Sequence, residues 1–198
     1  VEFPRRKKKM IIPVYHVVSS MVPISATITT NTNDFESGMA VGLNSDGQAV
    51  RAYGSDIACI GLAGDRNRAS EAYEWVNRVS DSGNDTRASG MMTIYHSGGE
   101  FFVDVDDSAL QTPAGSTISG VISTGATTTP GTVLYTENSS GATAGKLTHT
   151  STSTVTVAVC VTAAAALDGG IPGEYEPLTS NLASDDTPRT WVKIKLTV

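Results

Sequence analysis

The chain has 198 residues, 17% of them charged and 6% aromatic, with a formal net charge of −6. That length carries one domain with a real core, or a domain with an arm, but is cramped for two. The scarcity of aromatic and charged residues beside abundant Ser, Thr, Gly and Ala argues against long helices, which favour Leu, Glu, Lys and Arg, and for strands.

The charge is uneven. Residues 1–9 carry Arg5, Arg6, Lys7, Lys8 and Lys9 against Glu2, leaving nine basic and nineteen acidic residues from position 10 onward, a net of −10. A basic tip on an acidic body suits an anionic partner. The apolar run Met10 to Val18 that follows has the outline of a secretory signal, but Pro13, Tyr15 and His16 interrupt it. Residues 1–33 are expected to form an extended arm, with Ile24 to Thr30 alternating at period two as a first strand. Residues 34–198 then form a single β domain.

Within it, Gly38 opens the run Met39-Ala40-Val41-Gly42-Leu43, and Asn44-Ser45-Asp46-Gly47 supplies the φ-permissive residues of a tight reversal. The chain returns through Gln48 to Ala52, turns near Gly54-Ser55-Asp56, and enters Ile57 to Ala63, apolar enough for a buried strand. This unit, 35–64, has a loose second copy at 130–162. There Pro130 to Thr136 is the opening run, Asn138 to Gly141 the reversal, Gly145 to Thr148 the return and Val155 to Val161 the buried strand. Two such units suggest a closed or sandwiched architecture, because each alone leaves an edge and an apolar face uncovered.

Between the units, the spacing of Ala69, Ala72, Tyr73, Val76 and Val79 predicts one short helix over 65–80, the alternative being a loop whose Trp75 plugs the barrel end, since Asp81 to Asp85 breaks any helix soon afterwards. Met91 to His96 and Glu100 to Val105 read as a hairpin about Ser97-Gly98-Gly99. A polar connector over 104–130 holds one strand, Thr117 to Ile122, and Asp104-Val105-Asp106-Asp107 reads as a solvated turn. Ala163 to Pro177 is a small-residue loop. Thr190 to Val198 alternates as a final strand whose Lys193 and Lys195 would protect an exposed edge.

Little in the chain points to catalysis. His16, His96 and His149 lie far apart in sequence with no metal-ligand spacing, and no glycine-rich segment has the lysine and strand-to-helix setting of a phosphate loop. No serine sits in a nucleophile elbow, and the acidic cluster at 104–107 lacks the pattern of a calcium loop. Cys59 and Cys160 sit in apolar runs and are expected to be buried thiols. Basic and aromatic residues do not interleave as a nucleic-acid surface would need, and the apolar stretch Val155 to Leu167 falls short of the ~20 residues of a membrane span.

The basic and apolar arm, the Gly38-opened hairpin leading into Ile57-Ala58-Cys59-Ile60-Gly61-Leu62-Ala63, and its second copy together resemble tailed-bacteriophage capsid decoration, or cement, proteins. Asn77 to Gly90, followed by Met91 to Asp106, is similar to virion structural proteins of this kind. The resemblance implies a mainly β fold, a small β-barrel or β-sandwich with an extended N-terminal arm and one short helix. It implies a virion protein that binds the outer surface of the assembled capsid, partnered by the major capsid protein, forming a homo-oligomer (a trimer by analogy), with no catalytic activity and no cofactor. Capsid contact is assigned to the arm: Arg5, Arg6, Lys7, Lys8 and Lys9 would meet an acidic capsid surface, and Ile11, Ile12, Val14, Tyr15, Val17 and Val18 would supply apolar area. Other readings are a different β-rich virion component, such as a tail tube, fibre or minor capsid protein, or a secreted carbohydrate-binding module. The last is disfavoured by having only Trp75 and Trp191 for an aromatic platform.

Overall fold

Asn44 closes the first reversal with its side chain: Oδ1 accepts from the backbone N–H of Asp46 at 3.0 Å and of Gln48 at 2.9 Å. Gly47 completes the turn at φ 71, a conformation that side chains disfavour. In this computed structural model, which describes residues 11–24, 37–64, 91–105, 107–111, 117–118, 121–123, 126, 128–138, 140–141, 143–150, 156–167 and 189–198, that turn joins β3 (Ala40–Leu43) to β4 (Ala49–Arg51). β5 (Gly61–Ala63) pairs with the other side of β3. The second copy repeats the arrangement: β10 (Val133–Thr136) lies between β11 (Leu147–Thr148) and β12 (Thr156–Cys160).

The buried strand expected over 57–63 is shorter than its apolar sequence. Ile57 bridges back to Tyr53, Ala58 is exposed, and only Gly61–Ala63 joins the sheet. The reason is local packing: a Cβ on Gly42 would collide with the Ile57 side chain and lie 2.6 Å from the Ala58 carbonyl oxygen. The 57–58 segment rests on the strand it was expected to extend beside.

The chain is mainly β, with two antiparallel sheets. The larger has the order β1-β7-β14-β12-β10-β11, with β13 (Ala165–Leu167) also on β14; the smaller has the order β2-β6-β5-β3-β4. Here β1 is Ile11–Tyr15, β2 Val18–Pro23, β6 Met91–His96, β7 Glu100–Asp104 and β14 Arg189–Leu196. Each three-stranded unit therefore ends its sheet. β8 (Asp107–Gln111) and β9 (Thr117–Ile118) form a separate pair, so the 104–130 connector holds a strand more than expected.

The expected hairpin of β6 and β7 is a corner instead. The two strands belong to different sheets, and Ser97 (φ 60) and Gly98 (φ 87) turn the chain from one to the other. β1 and β2 make the same crossing at His16, whose φ is 50. The opposite margin is joined by backbone hydrogen bonds between the two units: Ala40 N–H donates to the Gly145 carbonyl at 2.7 Å, Gly145 N–H to Ala52 at 2.9 Å, and Gly54 N–H to Glu137 at 2.8 Å.

The principal core lies between the sheets. Ala40, Ala52 and Leu62 from one side meet Phe101, Val103, Leu134, Val157, Val192, Ile194 and Leu196 from the other. Val41, Ala49, Ala63, Met92 and Ile94 form a second cluster. Since Ala40 and Val41, and likewise Leu62 and Ala63, enter different clusters, β3 and β5 bury both faces. That explains why these two strands read as continuous apolar runs without alternation.

Two further expectations change. β14 is no edge: it lies between β7 and β12, its faces alternating Val192, Ile194 and Leu196 inward with Lys193 and Lys195 outward. Asp104 is no solvated turn: it ends β7 at 1% exposure, and Oδ1 accepts from Val121 N–H at 3.1 Å, an exchange that allows a carboxylate to be buried. The expected helix over 65–80, the segment 77–90 and most of the strand expected over Ile24 to Thr30 lie outside the described residues.

Candidate interaction surface

The segment expected to be an arm enters the fold at Ile11. From there to Pro23 it supplies, among the described residues, the outermost strand of each sheet, so over 11–23 the expected arm lies on its own β body as two edge strands. β1 pairs with β7, setting Ile11 opposite Val103 and Tyr15 opposite Glu100, with an irregularity between Pro13 and Tyr15. β2 runs in unbroken register along β6, from Val18 opposite His96 to Pro23 opposite Met91. Strand pairing is favoured here because both segments offer β-branched residues and side chains that tolerate exposure on two faces.

The expected contact residues divide by position. Ile11 is 3% exposed and belongs to the core, packed with Phe101 and Val103, so it leaves the contact set. Val14, Tyr15, Val17 and Val18 are exposed. Ile12 pairs opposite Phe102. Arg5, Arg6, Lys7, Lys8 and Lys9 lie outside the described residues. Met21, which the sequence pattern did not single out, is 54% exposed and joins the exposed set. Its position on an edge strand is the missing signal, and only the sheet order reveals it.

Seven large hydrophobic residues are exposed among the described residues, and five of them are these. The other two, Leu43 and Val161, sit on separate strands or their ends. Between positions 10 and 33 there is no Asp, Glu, Lys or Arg. Natural edge strands are commonly blunted by charge or proline against pairing with another chain. β2 carries no charge along its length and a proline only at its end, so it retains the character of a contact strand.

Polar groups fix the corner. Ser20 Oγ lies 2.7 Å from His96 Nε2, and Ser97 Oγ lies 2.6 Å from His96 Nδ1, so one imidazole ties β2 to β6 and to the turn beyond. The histidines are thus not all apart: His16 and His96 share this corner, while His149 follows β11. Across the larger sheet, Glu100 Oε2 accepts from Lys193 Nζ at 2.7 Å. That hydrogen bond is the main cause holding the Glu100 carboxyl below its ordinary range, opposed by desolvation and reinforced by the charges of Lys193, Lys195 and His16.

No group of three or more His, Cys, Asp or Glu side chains converges as a metal site among the described residues. The cysteines are free and buried, as expected. Burial pushes the Cys59 thiol up to about 12 and the Cys160 thiol to about 11, far from the thiolate a nucleophile requires. His96 is held by hydroxyls on both ring nitrogens, with no carboxylate among the described residues to orient it as a general base. No helix among the described residues is long and apolar enough to cross a membrane.

No protein-family model matches the chain, and comparison with curated proteins finds no match.

Proposed function

We propose that this protein is a virion structural component that binds the outer surface of an assembled bacteriophage capsid and stabilises it as a cement protein, without catalysis. The observation that carries the reading is the concentration of exposed Val14, Tyr15, Val17, Val18 and Met21 on two uncharged edge strands and the corner that joins them. A rigid two-sheet body with one exposed apolar corner suits a protein whose partner is a preformed surface. Binding only the assembled lattice shifts the lattice equilibrium towards assembly by mass action, and modest contacts repeated over many copies sum through multivalency. The basic residues at 5–9 enter this reading as further contacts to an acidic capsid surface.

The test is co-sedimentation of the purified protein with capsids lacking it, before and after expansion, with thermal release followed on the same heads. Saturable binding with a raised release temperature is expected. Absence of binding to either form, or recovery of the protein in the tail, would exclude the cement role. Trimming residues 1–22 is a poor probe, because it would remove β1 and most of β2 together with core residue Ile11.

A further inference from the structure

Three side chains lie in one register row across adjacent strands: Tyr15 on β1 opposite Glu100 on β7, and Glu100 opposite Lys195 on β14. Tyr15 and Lys195 are thus two strand spacings apart, roughly 10 Å. Glu100 is already engaged by Lys193 at 2.7 Å. Lys195 is exposed and makes no ion pair among the described residues. Counting Glu100, Lys193 and Lys195, the corner carries one surplus positive charge, on a protein whose formal net charge is −6.

We infer that the partner surface covering this corner is acidic, presenting carboxylate to Lys195 beside an apolar centre that meets Tyr15 and its exposed neighbours. This rests on the capsid-binding reading and extends its acidic surface, there matched to the basic residues at 5–9, to the row Tyr15, Glu100 and Lys195. An uncharged partner would strip water from Lys195 without replacing it, whereas a carboxylate supplies the missing counter-charge. A second copy of the chain is the competing occupant, since a two-fold contact can set Glu100 of one copy against Lys195 of the other, and sedimentation distinguishes it.

The experiment measures binding of wild type, Lys195→Glu and Glu100→Gln to capsids lacking the protein, at about 0.05 M and about 0.5 M salt, where screening differs strongly. Lys195→Glu should weaken binding about tenfold at low salt, and Glu100→Gln, which releases Lys193, should strengthen it; both differences should shrink at high salt. Opposite signs separate recognition from a structural role, since breaking the surface ion pair for structural reasons cannot tighten binding. Wild-type binding with unchanged affinities for both variants, or a Glu100→Gln loss matching that of Lys195→Glu, overturns the inference and leaves the capsid reading standing. Failure of wild type to bind any capsid removes the reading and the inference with it. Self-association in place of capsid binding, seen by sedimentation, also overturns it in favour of a second copy.

Discussion

Glu100 Oε2 lies 2.7 Å from Lys193 Nζ although the residue directly opposite Glu100 on the neighbouring strand is Lys195. The ion pair is therefore diagonal, one step along the outward face of β14. Diagonal neighbours on a sheet remain within reach of long side chains. The choice leaves Lys195 available at the margin of the apolar corner.

This pairing gives the folded state a pH dependence of definite sign. The Glu100 carboxyl is lowered in the fold, chiefly by the Lys193 hydrogen bond. A carboxylate held low contributes stability that is present above its unfolded value, about 4.3, and lost as pH falls through the folded value. Urea midpoints at neutral and acid pH should fall further for wild type than for Glu100→Gln. An identical acid loss in both proteins would show that the pair contributes nothing measurable.

The thiols carry the opposite sign. With Cys59 raised to about 12 and Cys160 to about 11, each is protonated in the fold while the unfolded chain ionises near the ordinary value, about 8.5. Their contribution is complete below that value and declines as pH rises through the interval to the folded values. Ellman's reagent should label neither cysteine rapidly in the native protein at pH 8, and both at once in denaturant. Rapid native labelling would place a thiol outside the core.

Two glycines in the first unit should respond differently to alanine. Gly42 has no room: a Cβ there would lie 2.6 Å from the Ala58 carbonyl oxygen and collide with the Ile57 side chain, so Gly42→Ala should cost about 2–3 kcal/mol through overpacking. Gly47 has open space but φ 71, so Gly47→Ala should cost about 1 kcal/mol from conformation alone. Chemical denaturation of both variants checks the order. Equal costs would mean that the 57–58 segment does not press on β3.

Core and corner should separate stability from binding. Phe101 is fully buried between the sheets, and Phe101→Ala should cost about 3–5 kcal/mol. Val18→Asp and Met21→Asp, at exposed positions, should change stability by less than about 0.5 kcal/mol. Under the proposed function both Asp variants lose capsid binding while keeping the wild-type unfolding midpoint. Full binding by the two together would remove the corner from the contact.

Much of the architecture was legible from local chemistry. Asn44 and Gly47 marked a reversal that the structure forms with Asn44 side-chain hydrogen bonds, and the second unit paired as the first did. The apolar runs around Cys59 and Cys160 indicated buried thiols. What misled was sheet membership. Met91 to His96 and Glu100 to Asp104 have hairpin composition, yet Ser97 and Gly98 rotate the chain out of one sheet into another. Alternation in β14 described its two faces correctly but carried no information about the strands on either side.

The sequence by itself determined that the chain would be mainly β, where its turns would fall and which residues would seek burial, because turn chemistry and side-chain polarity act over a few neighbouring residues. Only the tertiary structure decided that Ile11 is core while Val14, Tyr15, Val17, Val18 and Met21 are surface, and that Tyr15, Glu100 and Lys195 form one row. Those outcomes depend on β7 pairing with β1 on one side and with the distant β14 on the other. Which strand becomes an edge is fixed by what every other strand has already paired with, and no local pattern contains that.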